Sequence, residues 1–470
     1  MDHCPHCPLP APAGQATCFA ETMLHLTPDT LTDRLHDQPA DVAALLRSED
    51  AASPAAGTGI VFAGTPEIAA TCLRGLLARH APITAVLTRP DAPTGRRRQL
   101  RPSAVAAVAQ EAGLPVIKAD RIDENVTREL AATGAALGVV VAYGALLPES
   151  ALGIPAHGWV NLHYSLLPHY RGAAPVQHAL LNGESTTAAT IFQLERGMDT
   201  GPVHGLCEYP IPAGHSAGEV LEDLTRLGTD LLTVLLPDLL NGRSQPQPQT
   251  GTASTAPKLT RDDAFISFDG NAAATAWRIN ATIPEPGAWT LHEGARIKLG
   301  PARALDPAAA SDLHASQHVA SQHCASQHCA APTEGRSEAV APGTVLPTTA
   351  LGASRDASAA QSGTPELAKS EILVLTRDAA VVLGTVQPAG KKMMPAADWL
   401  RGQAGPVRFG MVDTAEVADT AANDARGKPP SQLRDEGQSS AYGEPRGRPR
   451  HAAPESLTAG TCTTSEEDPE

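Results

Sequence analysis

Aromatic residues are scarce in this chain: six Phe, four Trp and five Tyr make up 3% of 470 residues, beside 40 Gly and 41 Pro. That supply argues against one compact body and for alanine-rich helices with sizeable unstructured segments. No run approaches the roughly 20 apolar residues of a membrane span. The opening MDHCPHCPLP lacks the basic and hydrophobic regions of a secretory signal, so a cytoplasmic protein with no membrane partner is expected. Eight cysteines, Cys4, Cys7, Cys18, Cys72, Cys207, Cys324, Cys329 and Cys462, are too scattered for a disulfide framework. Cys4 and Cys7 have CxxC spacing, but no second pair completes a zinc site. They suit a loose metal-binding tail or a plain extension, and no metal is expected.

The net charge of −15 argues, taken whole, against a nucleic-acid partner. Its distribution argues otherwise. Residues 1–57 carry −6, residues 411–470 carry −6 and residues 306–367 carry −4, which leaves +1 for the rest. The acidity lies where folding is least expected.

Residues 1–57 are expected to be a disordered extension, apart from one short amphipathic helix between Leu31 and Leu46 that Pro39 breaks. From Thr58, strand and helix signals alternate. GIVFAG (59–64) is an apolar run, and TPEIAATCLRGLLARH (65–80) has helical spacing, with Thr65 as the expected N-cap and Pro66 as the first helical residue. ITAVLT (83–88), PVIKA (115–119), LGVVVAYG (137–144) and GWVNLH (158–163) read as further strands, and SAVAAVAQEAG (103–113) as a helix. This pattern specifies an α/β fold, a doubly wound, mostly parallel (Rossmann-like) sheet over 58–240. Residues 241–257, rich in Pro, Gln and Thr, read as a linker. Over 258–410, AFISF (264–268), GAWTL, ARIKLG, EILVLT and AAVVLGTVQ are short strands of a small β-barrel or sandwich. A low-complexity insertion at 306–367 interrupts them, with three tandem pentads ASQHV, ASQHC and ASQHC, and a disordered tail follows from 411.

The stretch NLHYSLLPHYRGAAP (161–175) carries the chemistry. Alternation along a strand turns Asn161 and His163 to one face. They lie at the carboxyl end of a strand, where open parallel sheets bind ligands. The SLLP loop follows, then RGAAP, which reads as a helix start. GMDTGPV (197–203) brings Asp199 back towards the same end. An amide, an imidazole and a carboxylate suit acyl transfer to an amine. The amide stabilises the oxyanion, the imidazole takes the proton and the carboxylate supports its cation. A buried core histidine, a turn-capping Asn161 and a plain turn at Asp199 explain the same residues, and spacing alone does not choose.

FAGTPEIAA (62–70), RPDAPTGRRRQL (89–100), VVVAYGALLP (139–148), VNLHYSLLPHYRGAAPVQ (160–177), GMDTG (197–201) and QPAGKKMMPAADWLRG (387–402) together closely resemble the methionyl-tRNA formyltransferase family. The resemblance covers about 58–305 and 368–410. It implies transfer of a formyl group from 10-formyltetrahydrofolate, a folate co-substrate, to the α-amine of methionine on initiator Met-tRNA. It implies catalytic Asn161, His163 and Asp199, a folate-binding segment Ser165, Leu166, Leu167 and Pro168, and an OB-like C-terminal barrel. Arg96 matches an arginine that the family directs at the acceptor stem. Arg97 and Arg98 accompany it, with Arg89 and Arg101 nearby, and Lys391 and Lys392 are weaker candidates for the same surface. Neither metal nor redox cofactor is implied, and a monomer is expected.

The chain departs from the family in RRRQL, in its extra segments and at Tyr164, which either narrows the entrance or faces outward. Related enzymes that formylate small amines or hydrolyse the folate share the Asn–His–Asp core. The arginine loop and the C-terminal strands favour tRNA over them, and the intact trio disfavours a non-catalytic RNA-binding derivative.

Overall fold

The computed structural model describes residues 24–37, 59–94, 98–305, 341–348 and 367–410. In chain order the first elements are β1 (Leu24–Leu26), α1 (Pro28–Asp37), β2 (Gly59–Gly64), α2 (Glu67–Ala78) and β3 (Ile83–Thr88). A hairpin of β4 (Ala92–Thr94) and β5 (Gln99–Arg101) follows, then α3 (Ala104–Glu111), β6 (Val116–Lys118), α4 (Glu124–Ala132), β7 (Ala135–Val141) and α5 (Glu149–Leu152). β8 (Trp159–His163), α6 (Pro175–Leu181), β9 (Thr186–Gln193), β10 (Val203–Pro210) and α7 (Ala217–Leu240) complete this half.

Eight strands form one sheet in the order β1-β10-β9-β8-β7-β2-β3-β6. Neighbours from β8 to β6 run parallel, and β9 is antiparallel to both β8 and β10. One face packs Ile60, Phe62, Leu137, Val139, Val160 and Leu162 against α2, α3 and α7. The other packs Val61, Ala63, Leu87, Val140 and Trp159 against α4 and α5. Both faces being covered explains the near-continuous apolar strands. The expected doubly wound, mostly parallel sheet is therefore present.

Several local readings change. Thr65 does not cap α2. Its hydroxyl donates to the Tyr143 carbonyl (2.7 Å), and Pro66 stands at the cap position. The helix after RGAAP starts at Pro175, because Gly172 has φ +127° and its position leaves no room for a side chain: a Cβ would lie 2.8 Å from the Ala256 carbonyl oxygen. The N-terminal stretch is not wholly without structure. β1 pairs parallel to β10, and Leu31 of α1 is buried against the same core. An uncovered β10 would be an exposed sheet edge, which short flanking strands commonly protect.

Beyond 258 lie α8 (Ala272–Ala281), β11 (Trp289–His292), β12 (Ala295–Leu299), β13 (Ala302–Ala304), β14 (Thr344–Pro347), β15 (Ile372–Leu375), β16 (Ala380–Leu383), β17 (Thr385–Pro388), β18 (Met394–Pro395), α9 (Ala396–Arg401) and β19 (Val407–Arg408). They form two antiparallel sheets, β11-β12-β17-β18 and β13-β16-β15-β14-β19, over a shared apolar core. AFISF contributes only a bridge, Phe265 to Trp289. The segment expected as a low-complexity insertion contains a true strand. β14 lies between β15 and β19 with Val345 buried, so its pairing on both sides overrides the composition around it. The pentads at 315–329, the Cys4–Cys7 pair and the tail from 411 lie outside the described residues. Among the described residues no helix is long and apolar enough to cross a membrane, and no cluster of three or more His, Cys, Asp or Glu side chains is placed to hold a metal.

His204 on β10 gives the fold a pH dependence. It is buried between Ser244 Oγ (2.7 Å from Nδ1) and Gln193 Oε1 (3.0 Å from Nε2), and burial pushes its pKa from 6.5 down to about 4. The unfolded chain binds this proton at the ordinary pKa and the folded chain resists it. Stability is therefore kept above about 6.5 and lost as pH falls towards about 4. Urea melts at pH 7 and pH 4.5 are expected to differ by roughly 2 to 3 kcal/mol from this group. His204→Gln should reduce the difference by that amount.

Candidate active site

β8 lies between β7 and β9, with Asn161 opposite Phe192 and His163 opposite Thr190 across the antiparallel ladder. Leu162 points to the α7 side, where a Cβ at Gly228 would come within 2.4 Å of it. Asn161 and His163 share the other face, as strand alternation requires. Asn161 is half-buried, and its carboxamide has no hydrogen-bond partner among the described residues. A free donor is thus held at the strand end by backbone pairing alone.

His163 is 5% exposed and lies edge-on to Phe192, with ring centroids 6.1 Å apart. Its Nε2 lies 3.1 Å from the Tyr170 carbonyl oxygen. A carbonyl only accepts, so Nε2 carries the hydrogen and Nδ1 presents the lone pair. Asp199 Oδ2 stands 3.9 Å from Nδ1. That is an electrostatic contact, too long for a hydrogen bond. The carboxylate accepts instead from the Gly172 N–H at 2.7 Å. The ring is therefore oriented by Tyr170, while Asp199 faces its basic nitrogen. Burial pushes the His163 pKa below 6.5, with Asp199 and the Tyr170 carbonyl pulling the other way.

In the SLLP loop, Ser165 is buried, its hydroxyl donates to the His169 carbonyl (2.6 Å), and its own carbonyl accepts from Thr190 Oγ1 (2.7 Å). Leu167 joins Phe192 and Val203 in a small apolar cluster. Leu166 is half-exposed and Pro168 buried. The loop is thus fixed by its polar ends and offers apolar surface beside His163. Tyr164 neither narrows the entrance nor faces outward. Its ring is buried on the α7 side and its hydroxyl meets Thr225 Oγ1 at 3.1 Å.

The basic stretch contains a β-ribbon whose two strands, β4 and β5, are exposed. Arg98, near its tip, is exposed, and Arg96 and Arg97 lie outside the described residues. Arg89 is occupied within the fold, paired with Asp120 (3.0 Å) and donating to the Gly144 carbonyl (3.1 Å). Lys391 and Lys392 are exposed on the turn between β17 and β18. Sequence reasoning brought Asn161, His163 and Asp199 together but missed the Tyr170 carbonyl and the Gly172 amide. Backbone groups carry no residue signature. The only hint was a glycine after the arginine in RGAAP.

The sequence places the chain in the formyl transferase class: the family described as formyl transferase matches residues 59–235, and that described as formyl transferase, C-terminal domain, matches 258–404. Within that class the chain belongs to the methionyl-tRNA formyltransferase family. The protein of that name from Acidothermus cellulolyticus is 45% identical over 347 residues, 73% of this chain and 96% of the relative. That from Paenarthrobacter aurescens is 42% identical over 349 residues, 74% of this chain and 98% of the relative. A solved structure of HypX from Aquifex aeolicus in complex with tetrahydrofolic acid is 15% identical, with a TM-score of 0.44 over 73% of this chain and 46% of its own.

Proposed function

We propose that the protein transfers the formyl group of 10-formyltetrahydrofolate to the α-amine of methionine on initiator Met-tRNA, as a cytoplasmic monomer serving translation initiation. The carrying observation is the free Asn161 amide beside His163, whose basic nitrogen faces Asp199 at 3.9 Å, at the strand end of a chain in this family. The surroundings suit a folate: half-exposed Leu166 offers apolar surface on the Ser165–Pro168 loop, which the buried cluster of Leu167, Phe192 and Val203 supports from behind. We take residues 58–240 as the catalytic domain and 258–410 as the C-terminal domain.

The formyl donor supplies an electrophilic carbonyl carbon, and the incoming neutral amine supplies the electron pair. Asn161 donates to the carbonyl oxygen as it becomes an oxyanion, where one such donor contributes roughly 10²–10³ in rate. His163 Nδ1 takes the proton that the amine sheds on forming the new C–N bond. Asp199 stabilises the resulting imidazolium. The same proton then passes to the folate nitrogen as its bond to the formyl carbon breaks, so charge and atoms balance with no further reactant. His163 must start neutral, and burial keeps it so at pH 7.

The exposed β4–β5 ribbon suits the tRNA acceptor end. Arg96, Arg97 and Arg98 supply guanidinium groups to phosphate, a contact whose strength falls steeply with salt. Arg96→Ala is expected to raise KM for Met-tRNA and to reduce the log–log salt slope by about 1, with kcat largely kept. Titrating tRNA use at several salt concentrations checks it. The reading as a whole is tested by offering the full chain Met-charged initiator tRNA and, separately, small primary amines. Formylated Met-tRNA supports it. Transfer to a small amine alone overturns the tRNA acceptor and, with it, the role given to the ribbon.

A further inference from the structure

The segment expected to be a linker between sheet and barrel runs along the site. Val203 and Gln247 exchange backbone hydrogen bonds (2.7 and 2.8 Å), the Arg171 N–H donates to the Ser254 carbonyl (2.9 Å) and the Ala256 N–H to the Arg171 carbonyl (2.7 Å). Two side chains of this run reach the site's own residues: Ser254 Oγ accepts from the Tyr170 N–H (2.8 Å), and Gln249 is bonded on both ends of its amide. Gln249 Nε2 donates to the carbonyl oxygens of Asp199 and Gly201, both at 2.8 Å. Its Oε1 accepts from Arg171 Nε (3.1 Å) and Nη2 (2.6 Å). Two donors and two lone pairs are all used. No other side chain supplies that set at this reach: glutamate lacks the donors, and lysine the acceptor.

The partners close a ring. Arg171 precedes Gly172, whose N–H grips the Asp199 carboxylate, and Gln249 holds the backbone of Asp199 from the other side. Asp199 has φ +52°, a left-handed conformation uncommon outside glycine and tolerated best by Asn and Asp. The two Gln249 bonds to the turn carbonyls hold the turn in that conformation.

We infer that Gln249 is a positioning residue for the formyl transfer, setting the Asp199 carboxylate against His163 through the clamp it forms with Arg171 and the 199–201 turn. The inference rests on the proposed roles of His163 and Asp199. Gln249 touches neither reactant, so its effect belongs in kcat and not in KM.

The test uses the full chain with Gln249→Leu, Gln249→Glu, Asp199→Asn and the double variant Asp199→Asn/Gln249→Leu, each confirmed folded by its melting curve. Gln249→Glu keeps an acceptor for Arg171 while losing both donated bonds, and Gln249→Leu loses all four without setting a charge against the turn carbonyls. Both Gln249 variants are expected to lower kcat about 10- to 100-fold, the scale of a small misplacement of a catalytic group, with KM for folate and tRNA unchanged. Adding Gln249→Leu to Asp199→Asn should cost nothing more. Wild-type kcat in the Gln249 variants beside a slow Asp199→Asn, a loss confined to KM, or losses that multiply in the double variant would each overturn the positioning role alone. A wild-type kcat for Asp199→Asn would overturn the catalytic reading and the positioning role together.

Discussion

His163→Ala is expected to lower kcat for formyl transfer by about 10³-fold while the formyl donor still binds. The argument starts from the ring's environment. Nε2 is spent on the Tyr170 carbonyl and Nδ1 faces Asp199, so one nitrogen fixes the ring and the other is left to take a proton. Alanine removes the proton acceptor but leaves the Ser165–Pro168 loop, with its buried support of Leu167, Phe192 and Val203, in place. KM for the donor should therefore change little. The ring's own titration sets the acid limb. Its pKa lies below 6.5, so wild-type kcat should fall only under pH 6.5, and the alanine variant should show no such limb. Steady-state rates from pH 5 to 8 measure both. A variant with wild-type kcat, or one losing activity only through donor binding, contradicts the assignment.

Asn161→Ala is expected to cost about 10²–10³ in kcat with no loss of fold. This side chain makes no hydrogen bond to the rest of the described protein, so its removal breaks no internal network. That separates it from His163, whose truncation also deletes a buried ring contact with Phe192. A melting temperature equal to wild type, an unchanged KM and a depressed kcat would together place the loss in the transition state. Asn161→Asp should be slower still, because a carboxylate repels the oxyanion where the amide donates to it. A normal rate in Asn161→Ala would remove the oxyanion role.

Much of this was legible in the sequence. Buried parallel strands announce themselves as apolar runs, and GIVFAG and VVV did so. Strand alternation put Asn161 and His163 on one face, and the glycine-flanked turn returned Asp199 to them. The missed features share one cause: they depend on partners distant in sequence. β1 forms because β10 offers an open edge, not because LHL has a strong preference of its own. TVLP is a strand because β15 and β19 flank it. Gln249 sits in a run of Gln and Pro that reads as a tether, and only the fold shows that its amide is saturated by Arg171 and the Asp199 turn. Tyr164 was expected at the entrance or outside, yet strand alternation from Leu162 already sends residue 164 to the α7 face.

The most direct test of the account is single-turnover formyl transfer from 10-formyltetrahydrofolate to Met-charged initiator tRNA by the full chain at pH 7. The account predicts formyl-methionyl-tRNA from the wild type, with the rate collapsing in His163→Ala. Bound folate and bound tRNA without any product from the wild type would contradict it.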